Sequence, residues 1–405
     1  MEEPVKMVDE SKEKATRIPF APLGIIAMES SKELCSKVDK WLVQWRNEYV
    51  NHENHHLYPG YKKDSFIVSA KCIRFNNGEG KAVINDTVRG HDLYIISDIG
   101  NYNCTYKMFG MDCPMSPDDH FQDIKRIISA IGGKARRITV IMPMLYEGRQ
   151  HRRVSRESLD CAIALQELER LGVDNILTFD AHDPRIQNAI PLIGFDSILP
   201  TYQIIKALLN SEKDLIIDKS HMMVISPDEG GMGRNLYYAT MLGLDLGLFY
   251  KRRDYTRVVN GRNPIVAHEF LGDSVEGKDI LITDDLLSTG ESIIDIALEL
   301  KRRKARRIYV AVTFALFTDG LEKFNKLHRD GVITKVFATN LTYRTPELRS
   351  ASWFVDVDMS KFIAYLIDTL NHDQSISSLL DPSEKIRKVL AEYRAATGQR
   401  TTANE

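Results

Sequence analysis

The sequence predicts an α/β fold with two tandem domains, each a mainly parallel sheet flanked by helices. Short runs rich in β-branched and apolar residues alternate along the chain with segments whose apolar residues recur at helical spacing. This alternation is typical of parallel strands joined by covering helices. It occurs as two series, one in each half of the chain, and 405 residues are enough for two such domains.

The first series has four strand-like runs separated by helical segments. In the first helical segment, Leu34, Val38 and Leu42 share one face, which we expect to lie in the core. The predicted helices are Ser31 to Val50, 118–132 and 155–171, and the predicted strands are LGIIAM (23–28), DLYIIS (92–97), RITVIMP (137–143) and NILTFD (175–180).

The second series predicts five more strands, which are MMVISPD (222–228), DLGLFYKRR (245–253), DILITDD (279–285), RIYVAVTFALF (307–317) and KVFATN (335–340). The polar, charged ends of the chain are predicted to be loosely ordered tails. We divide the chain into an N-terminal tail (1–20), an N-terminal domain (21–183), a C-terminal domain (184–358), a terminal helix (359–380) and a C-terminal extension (381–405).

Composition excludes several classes of protein. The 54 basic and 56 acidic residues leave a net charge of −2, so no overall field favours nucleic acid or an anionic membrane as a partner. No apolar run approaches the roughly 20 residues that a membrane helix requires. The five cysteines lack CxxC spacing, which indicates reduced thiols. The polar N-terminus is unlike a signal peptide, and we expect a cytoplasmic protein.

The segment ILITDDLLSTGES (280–292) predicts a binding turn between a strand and a helix. Its backbone amides and the hydroxyls of Ser288, Thr289 and Ser292 can surround a phosphate. Gly290 permits the close approach or positive φ that such a turn needs. The acidic pair before it would repel a phosphate, so it is better suited to accept hydrogen bonds from a vicinal diol. A phosphorylated pentose satisfies both halves, and a helix start with two acids is the alternative interpretation.

This segment resembles the phosphoribosyl-binding loop of type I phosphoribosyltransferases and of ribose-phosphate pyrophosphokinases. The resemblance implies that Asp284 and Asp285 hold the ribose 2- and 3-hydroxyls. It also implies a 5-phosphate site formed by Ser288, Thr289, Gly290, Glu291 and Ser292. The loop alone does not distinguish between the two classes.

Two other segments resemble the pyrophosphokinases. The run FNNGE matches, through Phe75, Asn77 and Glu79, a pattern that contacts adenine from a neighbouring subunit in that family. In EGRQH, Arg149 and Gln150 fall on the family's Arg-Gln pair for ATP. Ordinary phosphoribosyltransferases lack this nucleotide-binding stretch, so the resemblance favours a pyrophosphokinase.

The resemblance also covers residues predicted to act near the phosphates. His182 falls on the family's magnesium-associated histidine, and Asp228 lies in its Ser-Pro-Asp segment. Lys251 and Arg253 match the Lys-x-Arg start of a flexible catalytic loop. The similarity extends over roughly residues 22–380, which makes it more specific than any single motif.

The resemblance implies diphosphoryl transfer from ATP to the 1-hydroxyl of ribose 5-phosphate, giving AMP and 5-phosphoribosyl 1-pyrophosphate. A triphosphate approaching a hydroxyl requires Mg²⁺ and fixed cations to screen its charge. Lys251, Arg253 and Arg149 are the predicted cations. Because the family's adenine contacts cross a subunit boundary, we expect a homo-oligomer, namely a dimer-based hexamer.

Some features depart from the family pattern. Ser288 stands where the family usually carries Asp, Glu291 where Gly, Ala or Cys is commoner, and His151 where Asp often follows the Arg-Gln pair. Insertions at 45–67 and 100–120 have no counterpart in the pattern. We expect them to alter assembly or regulation rather than the reaction.

Three alternative functions stay open. The first is a phosphoribosyltransferase, which consumes the pyrophosphorylated sugar. The second is a regulatory paralogue that has lost catalysis, which Ser288 and the insertions suggest. The third is the same transfer onto a larger 5-phosphorylated ribosyl acceptor.

Overall fold

The structure is a computed structural model that describes residues 18–53, 60–153, 155–253 and 265–398, without the side chains of 50–53, 251–253 and 265–268. The strands of the N-terminal half are β1 (Leu23–Ala27), β2 (Ala70–Arg74), β3 (Gly80–Ile84), β4 (Asp92–Ile96), β5 (Thr105–Met108), β6 (Met111–Pro114), β7 (Arg137–Ile141), β8 (Asn175–Phe179) and β9 (Gly194–Ile198). Those of the C-terminal half are β10 (Met222–Ser226), β11 (Asp245–Arg253), β12 (Ile265–Leu271), β13 (Asp279–Leu287), β14 (Ile308–Ala315), β15 (Lys335–Thr339) and β16 (Phe354–Val357).

The helices alternate with these strands. They are α1 (Lys32–Glu53), α2 (Pro117–Ile131), α3 (Asp160–Arg170), α4 (Thr201–Ser211), α5 (Met232–Leu242), α6 (Glu291–Arg302), α7 (Glu322–Arg329), α8 (Pro346–Ser350), α9 (Ser360–Asn371), α10 (Ser377–Leu380) and α11 (Ser383–Thr397). Among these helices, none is long and apolar enough to cross a lipid bilayer.

Two sheets confirm the predicted fold class. The N-terminal sheet has the strand order β1-β4-β7-β8-β9, and all its strands are parallel. The C-terminal sheet has the order β12-β11-β10-β13-β14-β15-β16, with only β12 antiparallel to its neighbour. Both faces of each sheet are covered, which explains why the central strands are continuous apolar runs.

The N-terminal sheet extends further along the chain than predicted. Residues Gly194–Ile198 form β9 and pair in parallel with β8, so the N-terminal sheet includes a strand that lies beyond the predicted boundary at 183. The strand was missed because GFDSI contains Asp196 and Ser197 and is only half-buried over most of its length. It therefore lacks the apolar run by which its neighbours are identified.

The terminal helix returns to the N-terminal domain. α9 packs beside α1 over the N-terminal sheet, where Ile363 and Ile367 are buried with Leu42 of α1. Arg46 of α1 donates to Asp368 of α9 at 2.9 Å through one terminal nitrogen. The end of the chain thus holds the two domains together.

The extension after the terminal helix contains a further helix. α11 packs on α4 and α5, with Ile386, Leu390 and Tyr393 buried. The Tyr393 hydroxyl donates to the Glu212 carbonyl at 2.8 Å. The part of the predicted loose tail up to Thr397 is therefore helical, and residues 399–405 lie outside the described residues.

The structure also describes one predicted surface insertion and the predicted reduced thiols. Within the insertion at 100–120, β5 and β6 form an exposed antiparallel hairpin ahead of α2, as expected for a surface insertion. All five cysteines are free thiols.

Candidate active site

Strand ends from the two domains meet at a shared cleft. His182 follows β8 of the N-terminal sheet, and Asp285 lies near the end of β13 in the C-terminal sheet. The His182 Nδ1 and Asp285 Oδ2 atoms are 2.9 Å apart. The hydrogen bond to Asp285 raises the pKa of His182, and this effect outweighs burial, which lowers it. The resemblance implied a magnesium-associated role for His182 and a ribose-binding role for Asp285, and the structure brings the two side chains into contact.

A buried arginine fixes this arrangement. Arg234 of α5 donates through Nε to both carboxylate oxygens of Asp180, each at 2.9 Å. Thr313 of β14 donates its hydroxyl to the same carboxylate at 2.6 Å. Arg234 also lies 3.5 Å from Asp284 and 3.7 Å from Asp285. One guanidinium therefore holds the end of β8 against the acidic pair of β13.

The two acids of the pair differ in protonation. Burial, followed by the charge of Asp285, raises the pKa of Asp284 well above its usual range. Burial acts on Asp285 in the same direction, but the hydrogen bond from His182 and the charge of Arg234 prevail and lower the pKa of Asp285. Asp285 is thus the ionised member, whereas Asp284 gains most from a ligand that donates hydrogen bonds or brings positive charge.

The predicted phosphate turn has the expected local geometry. Gly290 has φ of 81° and precedes the first residue of α6. A Cβ atom at this position would lie 2.5 Å from Phe324 Cε2, so the site requires glycine. The Glu291 side chain is exposed and pairs with Lys323 at 3.6 Å, which directs its charge away from the turn. The Glu291 amide lies 3.4 Å from the Thr289 hydroxyl, to which it donates.

Asp228 lies on the loop between β10 and α5. Its carboxylate accepts a hydrogen bond from the Gly231 amide at 3.1 Å, and its charge contributes to the raised pKa of Asp284 after burial and Asp285. Within the part of the chain that the structure describes, no three His, Cys, Asp or Glu side chains are grouped so that they could hold a metal ion. His182 and Asp228 therefore do not form a complete metal site from protein ligands alone.

The predicted ATP residues at 149–150 lie near His182. They belong to a 3₁₀ turn after β7. The next residue, His151, has its ring 5.4 Å from the His182 ring and its Nε2 atom 3.5 Å from Asp183. The charge of Arg149 also acts on the pKa of His182, as a lesser effect than the hydrogen bond to Asp285. Arg149 and Gln150 thus belong to the same side of the cleft as His182.

The predicted adenine residues lie on a hairpin. Phe75, Asn77 and Glu79 form the turn between β2 and β3, where Asn77 Nδ2 donates to Glu79 at 2.8 Å. The hairpin packs on α2, and Phe75 is 48% exposed. No described contact joins this turn to the His182–Asp285 pair.

The predicted catalytic cations lie at the end of β11. The backbone of Lys251 pairs with His268, and that of Arg253 with Ile265, in the antiparallel edge of the C-terminal sheet. Their side chains and the predicted flexible loop after Arg253 lie outside the described residues.

Sequence reasoning missed Asp180, Arg234 and Thr313. Asp180 has a local signal, since it is a strand-end acid two residues before His182. Arg234 and Thr313 have none, because their shared partner lies in the other domain and is distant along the chain. Only the fold brings the three together.

Known protein families account for most of the chain. Residues 23–172 match the N-terminal domain of ribose phosphate pyrophosphokinase, and residues 195–338 match the phosphoribosyl transferase domain. The first match contains β1 to β7, and the second extends from β9 to β15.

Similar proteins and structures agree with these matches. The chain is 29% identical over 315 residues to a ribose-phosphate pyrophosphokinase of Vibrio cholerae and 28% identical over 315 residues to that of Vibrio parahaemolyticus. Each alignment covers 77% of this chain and 91% of the relative. The crystal structure of phosphoribosylpyrophosphate synthetase from Mycobacterium smegmatis matches with a TM-score of 0.68 at 20% identity, covering 87% of this chain and 99% of that one. The protein therefore belongs to the ribose-phosphate pyrophosphokinase family of enzymes, which is built on two phosphoribosyltransferase-like domains.

Proposed function

We propose that the protein is a ribose-phosphate diphosphokinase, which converts ATP and ribose 5-phosphate into AMP and 5-phosphoribosyl 1-pyrophosphate. The sugar 1-hydroxyl attacks the β-phosphorus of ATP in line, and AMP leaves. The contact of 2.9 Å between His182 and Asp285 carries this proposal, because it joins the predicted triphosphate side to the predicted ribose side. A reaction between two substrates requires such a shared cleft.

The ribose 5-phosphate site lies on the C-terminal domain. Asp284 and Asp285 accept hydrogen bonds from the ribose 2- and 3-hydroxyls, and the turn from Ser288 to Ser292 surrounds the 5-phosphate. The Glu291 side chain points outward and pairs with Lys323, so its carboxylate does not lie beside the backbone amide that faces the phosphate. This supports the assignment. Ser288 provides a hydroxyl where relatives usually carry a carboxylate.

The ATP site combines three segments. Arg149 and Gln150 bind the nucleotide beside His182, and Lys251 and Arg253 stabilise the charge that develops on the transferred group. Phosphoryl-type transfer depends mainly on positioning and electrostatic stabilisation, so this set of cations accounts for catalysis without a dedicated base.

The residues at the cleft fit Mg²⁺. The Nδ1 atom of His182 bonds to Asp285, which orients the ring and leaves Nε2 for a metal ion or its water. Asp228 supplies a carboxylate, and Mg²⁺ characteristically takes one or two protein ligands together with substrate phosphates and water. When bound, Mg²⁺ neutralises charge on the triphosphate oxygens.

A homo-oligomer, namely a dimer-based hexamer, completes the ATP site in this proposal. The exposed ring of Phe75 at a hairpin tip supports contact with a second copy.

Phe75→Ala and Lys251→Ala variants should each be inactive alone and should recover part of the activity when mixed. Mixing without recovery would assign both residues to sites within one subunit.

Product identification tests the function. The purified protein is incubated with ATP, Mg²⁺ and each of several 5-phosphorylated ribosyl compounds, and the products are identified by mass. We expect AMP and 5-phosphoribosyl 1-pyrophosphate from ribose 5-phosphate. Product formed only with a larger acceptor would show that the substrate is that acceptor and not ribose 5-phosphate. A reaction only between a nucleobase and the pyrophosphorylated sugar would indicate a phosphoribosyltransferase, and no reaction with any acceptor would indicate a regulatory paralogue.

A further inference from the structure

The hairpin of β5 and β6, which belongs to the insertion at 100–120, meets the hairpin of β2 and β3 at its tip. The Phe109 amide, at the turn between β5 and β6, donates to the Asn76 carbonyl at 2.8 Å. Next to this bond, Met108 packs so closely on Gly78 that a Cβ atom on the glycine would lie 2.8 Å from the Met108 sulfur. The insertion therefore ends directly beside the turn that carries the proposed adenine residues.

Phe109 has a strained backbone conformation. It forms a two-residue turn with Gly110 between the paired residues Met108 and Met111, and φ is 49° at Phe109 and 81° at Gly110. Two positive φ values define a type I′ turn, whose first position favours asparagine, aspartate or glycine. A bulky side chain at that position is an outlier, and strain of this kind is concentrated at functional sites.

Packing does not account for the strain at Phe109. Phe317 also has a positive φ of 48°, but it is 7% exposed and lies in the core of the C-terminal domain. Phe109 is 74% exposed, so burial of its ring offsets little of the conformational cost. The turn therefore holds an aromatic ring at the surface against its own backbone preference, which indicates that the ring contacts a ligand.

The two hairpin tips present two exposed aromatic rings side by side. Phe75 is 48% exposed and precedes Asn76, the residue to which Phe109 is bonded. Hydrogen-bonded extended segments lie about 5 Å apart, so a planar base on the Phe75 ring comes within reach of the Phe109 side chain. Because the two tips are bonded to each other, Phe109 accompanies Phe75 to whichever subunit's site Phe75 reaches.

We propose that Phe109 is a second aromatic contact for the adenine ring of ATP, beside Phe75. This inference rests on the proposed function, since it takes Phe75 to be an adenine residue. Bases stack on aromatic side chains through their π faces, so the contact needs the ring of Phe109 and no polar group. It gives the insertion a role in nucleotide affinity.

Phe109→Asn removes the ring without disturbing the turn. Asparagine suits the first position of a type I′ turn better than phenylalanine, so the variant should unfold at the same urea concentration as the wild-type protein or at a higher one. We expect the KM for ATP to rise about tenfold, with kcat and the KM for ribose 5-phosphate unchanged.

Two further variants serve as controls. Phe109→Tyr keeps an aromatic ring in the same backbone conformation, so it should retain the wild-type KM for ATP. Leu192→Asn makes the same kind of replacement at a residue that is 89% exposed in the loop before β9, and it should also leave this KM unchanged.

Two results would overturn the proposal. One is a KM for ATP in Phe109→Asn that equals the KM of the wild-type protein. The other is a raised KM together with a smaller assembly in analytical ultracentrifugation, which would assign the ring to a contact between subunits.

Calorimetric titration with ATP and Mg²⁺, without ribose 5-phosphate, separates this inference from the proposed function. If the wild-type protein makes product and Phe109→Asn binds ATP equally well, only the role of Phe109 is refuted. If the protein makes no product but Phe109→Asn binds ATP about tenfold more weakly than the wild-type protein, only the proposed reaction is refuted. A wild-type protein that binds no ATP would refute both.

Discussion

Gly290 shows how a single residue determines what the cleft can bind. It has φ of 81°, and its Cα lies so close to Phe324 that a methyl group would overlap the ring. Both constraints concern the turn that is proposed to hold the sugar phosphate. Glycine is therefore required at position 290 both for the positive φ of the turn and for the close approach of Phe324.

Gly290→Ala should lower both stability and activity. The positive φ costs about 1 to 3 kcal/mol for a residue other than glycine, and the overlap with Phe324 adds to this cost. Gly277→Ala is the control, because Gly277 has φ of 74° but open space around it. Urea unfolding and the KM for ribose 5-phosphate provide the measurements. A variant Gly290→Ala that resembles Gly277→Ala in both would contradict the close approach.

Asp98 should make stability depend on pH. It is buried at the end of β4 and accepts hydrogen bonds from Gly100, Thr342 and Tyr343, and burial raises its pKa to about 7. Between pH of about 4 and 7 the folded protein keeps a proton that the unfolded chain has lost. The contribution of the protonated Asp98 carboxyl to the free energy of unfolding is therefore complete below about pH 4 and is lost as the pH rises through 7.

Asp98→Asn isolates this effect, since asparagine does not titrate. The wild-type protein should lose about 3 kcal/mol more stability than the variant between pH 5 and pH 8. Urea unfolding of both proteins at the two pH values measures the difference. If the free energy of unfolding changed equally with pH in the wild-type protein and in Asp98→Asn, Asp98 would already be ionised at pH 5.

At the scale of elements, α9 joins the last part of the chain to the first domain. Its attachment combines apolar packing against α1 with a buried ion pair between Arg46 and Asp368. Trp45 and Tyr365 stack beside this pair, with ring centroids 4.4 Å apart. The contact is a continuous interface between two helices that are distant in sequence.

Arg46→Met should weaken this interface. Removing one member of a buried ion pair typically costs about 3 to 5 kcal/mol, and partial exposure of Asp368 places the expected loss near the lower value. Lys40→Met, at an exposed position of the same helix, should change stability by less than about 0.5 kcal/mol. Thermal and urea unfolding compare the two. Equal losses would exclude a structural role for the buried pair.

The elements differ in how far they can be predicted from sequence. Central strands such as β10 and β14 are apolar throughout, because they are buried on both faces, and their positions were predicted within two residues at each end. The half-buried β9 was missed because its polar residues interrupt the pattern. The turn from Ser288 to Ser292 could be predicted because its parts are contiguous. The contact between His182 and Asp285 could not, since it depends on how two domains meet.

At the scale of the whole molecule, a buried polar network couples the two domains at the cleft. Arg234 and Thr313 of the C-terminal domain both bond to Asp180 of the N-terminal domain. The same arginine faces the acids predicted to bind ribose. Domain position and site geometry therefore depend on one set of contacts.

Arg234→Met should uncouple the domains. It leaves three carboxylates without their shared cation, so we expect a loss of about 3 to 5 kcal/mol in stability and a fall in kcat. Arg329→Met, on the surface of α7, is the control and should leave both unchanged. Unfolding and initial rates of product formation provide the measurements. A stable, fully active Arg234→Met would show that the network does not set the geometry of the cleft.

We propose that the diphosphoryl group is transferred in one cleft, where His182 of one domain contacts Asp285 of the other. The decisive measurement quantifies AMP and 5-phosphoribosyl 1-pyrophosphate formed by the wild-type protein, His182→Gln, Asp285→Asn and the double variant. We predict equimolar products from the wild-type protein and losses on the order of a hundredfold in each single variant, with little further loss in the double variant because the two residues act as a unit. A wild-type protein that forms neither product, or single losses that multiply in the double variant, would contradict this claim.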